Sequence, residues 1–82
     1  MKKYVVYYDG EITFINSVKY VKGYYAAKQP HYEWSFTENI NDALFYKSKG
    51  TAIKRKNFIY KNIAKIFEVD VITNVNIINE IL

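Results

Sequence analysis

The sequence predicts an α+β domain: an antiparallel sheet of four to five strands, with one main helix over about residues 48–66 packed on one face. Three observations point there. Short runs rich in Tyr, Val, Ile and Phe alternate with polar residues and are punctuated by Gly, Pro and Asn, as strands and turns are. One long stretch alone, Ser48 to Phe67, carries its apolar residues at helical spacing. The 82 residues, half of them apolar, make a single domain with a thin core.

The elements follow in order. Two β-rich runs, KYVVYY and EITFI, flank Asp9-Gly10, a favoured pair for a two-residue hairpin loop. Pairing Tyr8 with Glu11 sets Tyr7 against Ile12 and Val5 against Phe14, four residues on a core face. Tyr4, Val6, Thr13 and Ile15 take the other face, which is apolar enough to need a cover, for instance a second copy in a homodimer. Val18 to Lys28 is a third strand, with a bend or bulge at Gly23. Lys28 to His31 turns, because Pro30 lacks an amide donor and extends Gln29. Tyr32, Trp34 and Phe36 then alternate with Glu33 and Ser35 as a half-buried strand, Trp34 being its core anchor. Asn39 caps a short helical turn that sends Ile40, Ala43 and Leu44 inward. Phe45 to Lys47 is an extended link into the main helix.

Ser48 is the N-cap of that helix. Ala52, Ile53, Ile59, Tyr60, Ile63, Ala64, Ile66 and Phe67 fall on one broad face. Lys54, Lys61 and Lys65 lie opposite, with Arg55 at the margin. Lys56 breaks the pattern by pointing into the apolar face, so it snorkels or the helix begins later. Phe58 breaks it the other way, an aromatic ring among cations. Such a ring suits a base or a pocket on a partner; the plainer alternative is that it packs under a loop. Beyond the helix, Phe67, Val69 and Val71 alternate with Glu68 and Asp70 as a strand. Thr73-Asn74 breaks it. Val75, Ile78, Ile81 and Leu82 recur at helical spacing, which predicts a short C-terminal helix that must dock to be stable.

The net charge is +4, and its layout is uneven. Gln29 to Tyr46 and Ile66 to Leu82 carry acidic residues and no Lys or Arg, whereas Lys47 to Lys65 carries only basic ones. A cationic helix suits an anionic partner, nucleic acid or an acidic protein surface; the plainer alternative is a solvated lysine face. The chain has no Cys, which removes disulfides, thiolate metal sites and Cys nucleophiles. No run approaches the roughly 20 apolar residues of a membrane span, and the run after Lys2-Lys3 is too short for a signal peptide, so a cytoplasmic protein is expected. Catalysis finds little material. His31 is the single His, Gly10, Gly23 and Gly50 are isolated, and Glu68 with Asp70 reads as a solvated sheet face rather than a cation site. Neither an enzyme nor a cofactor or metal is expected.

The run WSFTENINDALFYKSKGTA fits W-[ST], a few polar residues, then A-x-x-[FY]-x-[ST]-x-x-x-A leading into a helix, through Trp34, Ser35, Ala43, Tyr46, Ser48 and Ala52. In this it resembles small β-rich accessory proteins of phages and mobile elements of low-GC Gram-positive bacteria. The resemblance covers about half the chain and carries no functional residues with it. It implies a non-enzymatic, anti-CRISPR-like inhibitor that binds a bacterial host or defence protein, a nuclease included, in the host cytoplasm. From the residues themselves, the expected contact surface is Lys54, Arg55, Phe58, Lys61 and Lys65 with exposed Tyr of the sheet. The alternative is a nucleic-acid-binding protein that uses the same basic helix and its aromatic ring.

Overall fold

Val5 and Val6 are both fully buried. Neighbours on a strand point to opposite sides of a sheet, so this pair demands cover on both. The computed structural model describes residues 2–14, 16–26, 36–71 and 75–81, and it supplies that cover from the chain itself. Strand β1 (Lys2–Phe14) is the centre of a five-stranded antiparallel sheet. On one side of it lie β2 (Ser17–Tyr25) and the short β3 (Phe36–Thr37). On the other lie β4 (Ala64–Val71) and β5 (Val75–Ile81). The α-helix α1 (Lys49–Phe58), the only one among the described residues, packs against one face, so the expected α+β architecture holds.

The hairpin expected at Asp9-Gly10 does not form. β1 runs straight through both residues, Gly10 partners Val21, and the chain reverses later, where Phe14 partners Ser17. Gly10 is needed for a different reason. A Cβ there would collide with Ile63, which sits on the 3-10 turn Lys61–Ile63. The glycine therefore admits a close approach instead of making a turn. Strand alternation then groups Val5 with Tyr7 on one side, and Val6, Tyr8 and Ile12 on the other, correcting the proposed Tyr7–Ile12 and Val5–Phe14 pairs. The Phe14 side chain lies outside the described set. At Gly23 the register continues without a bulge, but φ is +135°, and a Cβ would stand 2.8 Å from the Thr37 carbonyl oxygen. Glycine at this position lets β3 close onto β2.

The core has two parts. Facing the helix, Val6, Tyr8, Val21, Tyr25, Ala64 and Ile66 pack with Ala52 and Ile59. On the reverse side, Val5 and Val69 pack with Ala43, flanked by Ile40, Phe45, Phe67 and Val75. The second apolar face is thus covered in part by residues 40–45. Asn39 caps the turn Ile40–Asp42 by accepting from the Asn41 amide at 3.0 Å. The chain next passes through the plane of the sheet. Leu44 donates to the Tyr25 carbonyl at 2.9 Å, and Tyr46 exchanges backbone bonds with Tyr4 at 2.8 and 2.9 Å. It emerges on the helix side at Ser48, whose Oγ accepts from the Thr51 amide at 3.1 Å.

Two expected α-helical segments, residues 59–66 and 75–81, are not α-helix. α1 stops at Phe58, because Ile59 is extended and Tyr60 takes a left-handed φ of 45°. Ile59 and Ile63 still point into the core that Ala64 and Ile66 line, so a helix end, a turn and a strand together imitate one helical face. Val75 to Ile81 imitates a helix through a bulge: Glu68 pairs with Asn79 but Val69 with Ile77, which leaves Ile78 out of step. Tyr32 and Trp34, the expected strand and its anchor, lie outside the described residues, as do Pro30 and His31. Among the described residues no helix is long and apolar enough to cross a membrane.

Candidate functional site

Helical spacing places Thr51, Lys54, Arg55 and Phe58 (i, i+3, i+4, i+7) along one side of α1. With Tyr46 from the link through the sheet plane they line an open cavity of about 310 Å³. Arg55 is half-buried and held in place. Its Nε donates to the Tyr46 hydroxyl at 3.3 Å, and its guanidinium carbon lies 4.9 Å from the centre of the Tyr25 ring. The Phe58 ring stands 5.8 Å from the same carbon and is 72% exposed. Among the described residues no carboxylate pairs with Arg55 or Lys54. Burial raises the Tyr46 phenol above its ordinary pKa, although Arg55 pulls it down. Tyr8, also on the helix side of the sheet, is wholly buried. Its hydroxyl has no hydrogen-bond partner among the described residues, and burial pushes its pKa well up.

The expected contact residues divide into three places. Lys54, Arg55 and Phe58 come together at the cavity. Lys61 is exposed on the 3-10 turn after α1, beyond the left-handed Tyr60. Lys65 belongs to β4, where it partners Tyr7 on the face turned away from the helix, 4.0 Å from Glu80. The five do not share one helix face, because the helix that would have aligned them ends at Phe58. Ile53, expected inward, is partly exposed, and Lys56 is half-buried as a snorkelling side chain would be. Thr51 and Tyr46 were not foreseen in the site. The spacing of Thr51 from Arg55 and Phe58 was a usable signal for it; nothing local marks Tyr46, which arrives through its bridge to Tyr4.

The tyrosines expected on an open sheet face are mostly engaged. Tyr8 and Tyr25 are buried in the helix-side core. Tyr4 donates to Glu68 at 3.3 Å. Tyr20 is exposed and donates to Asp9, a bond that raises its pKa. On the face away from the helix a second cleft of about 360 Å³ is lined by Tyr7, Tyr24, Phe67, Lys22 and Glu38, with the Tyr7 and Tyr24 rings 4.8 Å apart. Among its described lining residues one cation, Lys22, is matched by one anion, Glu38. Among the described residues no three His, Cys, Asp or Glu side chains gather as a metal site would need.

In comparisons with known proteins, no family model, curated protein or solved structure matched this chain.

Proposed function

We propose that this chain is a non-enzymatic binding protein that docks on another protein and blocks it, as phage and mobile-element accessory proteins do to a bacterial host or defence protein. One observation carries the reading. The exposed Phe58 ring stands at the mouth of a cavity beside two cations that no carboxylate of the described residues neutralises. An aromatic anchor beside Arg is the composition of an interface centre, and the cations suit a partner with a negative patch. The choice of a bacterial target, a nuclease included, and of the host cytoplasm rests on the resemblance of the Trp34–Ala52 run. The test is affinity capture from a Gram-positive lysate. Wild-type protein should retain one partner in stoichiometric amount, and the Phe58→Ala, Lys61→Ala double variant should lose it with its melting temperature unchanged. A double variant that still holds the partner, or that melts much earlier, defeats the reading. Nucleic-acid binding is the second candidate, but Lys65 turns away beside Glu80, so the cationic track next to Phe58 is short. Salt-sensitive anisotropy changes with labelled oligonucleotides would favour it.

A further inference from the structure

We infer that the cavity lined by Tyr46, Thr51, Lys54, Arg55 and Phe58 is a binding site for a phosphate monoester carrying a planar ring, a nucleoside monophosphate being the fitting class. This goes beyond docking on a partner, although the two surfaces share Phe58. A guanidinium has five N–H donors. Arg55 spends Nε on Tyr46, and its guanidinium carbon lies 4.9 Å over the Tyr25 ring, two contacts that position the fork and, among the described residues, leave the terminal amino groups for a bidentate acceptor. Lys54 adds a second positive charge at the same wall. Two cations with no carboxylate counterion among the described residues match the charge of about −1.5 to −2 on a phosphate monoester, and exceed what a single carboxylate would neutralise. The Thr51 hydroxyl, 3.0 Å from Ser48 Oγ, is a further polar group at the rim. Phe58 provides an exposed ring 5.8 Å from the guanidinium carbon, so one ligand can place its anion on Arg55 and its ring on Phe58. A volume of about 310 Å³ stands at the small end of ligand pockets, which run from about 300 to 1,000 Å³, and suits one nucleotide rather than a dinucleotide.

The test is titration of isotope-labelled protein with AMP, GMP, CMP and UMP, and separately with inorganic phosphate and adenosine. At least one nucleotide should move the amides of Thr51, Lys54, Arg55 and Phe58 in a saturable way at millimolar concentration or below. Lys54→Met, at an exposed position that leaves the fold intact, should weaken binding by about tenfold, and Thr51→Val should weaken it less. Arg55→Met is a poorer probe because it also strips Tyr46 and Tyr25 of their contact. No saturable shift with any of the four nucleotides overturns the inference. So does inorganic phosphate or adenosine binding as tightly as the nucleotide, or Lys54→Met binding as wild type does. Lys61→Ala should keep full nucleotide affinity, so this site can fail while partner capture survives, and the reverse.

Discussion

Tyr8 shows how much one atom can alter a small core. Its ring packs edge-on against Phe36 and Tyr60, with centroids 5.1 and 6.3 Å away, while its hydroxyl is buried without a partner among the described residues. A buried hydroxyl left unbonded costs stability, so Tyr8→Phe should gain up to about 1 kcal/mol and melt later. The same burial raises the phenol pKa above its ordinary 10.0. In the unfolded chain the group ionises near 10, whereas in the fold it keeps its proton. The stability this proton contributes is therefore present below pH 10 and drains away as pH rises past it. Denaturant unfolding between neutral pH and about pH 11 should show a shallower alkaline loss for Tyr8→Phe than for wild type. Equal slopes would mean that Tyr8 is solvated.

At the scale of elements, Gly10 marks where a local signal loses to packing. Asp9-Gly10 is good turn chemistry, yet the strand continues because Ile63 seats against the space that a side chain would fill. Gly10→Ala should cost about 1–3 kcal/mol through overpacking. Adding Ile63→Ala should recover part of that, with a coupling of about 1 kcal/mol in urea unfolding of the four variants. Additive losses would show that the two residues do not meet. The caps at Asn39 and Ser48, the β4 alternation and the sheet-plus-helix class were legible because each is set by neighbours in sequence. The end of α1 was not: Tyr60 adopts a left-handed backbone that no Gly or Asn announces. The bulge at Ile78 hid β5 for a related reason, since one extra residue turns a period of two into an apparent three. Three of the five cavity residues were visible, Lys54, Arg55 and Phe58. Tyr46 could not be, because its place depends on a backbone bridge to a strand more than forty positions earlier.

For the whole molecule, the order β3-β2-β1-β4-β5 puts β1 at the centre, between β2 and β4, with buried residues on both of its faces. The far half of the β1–β2 hairpin reaches past the end of β4, which pairs only as far as Tyr8, and leaves Val18 and Tyr20 exposed. The molecule is accordingly long, 43 × 26 × 19 Å. Amide hydrogen exchange should be slowest at Val5, Val6 and Tyr8 and fast in β5; equal protection in β5 would mean that its outer edge is covered. The pairing of β1 with β4 also sets a timetable. Tyr4 finds Glu68 sixty-four positions further on, so a ribosome releases the first strand long before its second neighbour is made. Until then one flank of that strand is open, and the nascent chain must hold it unspoiled for a segment that does not yet exist.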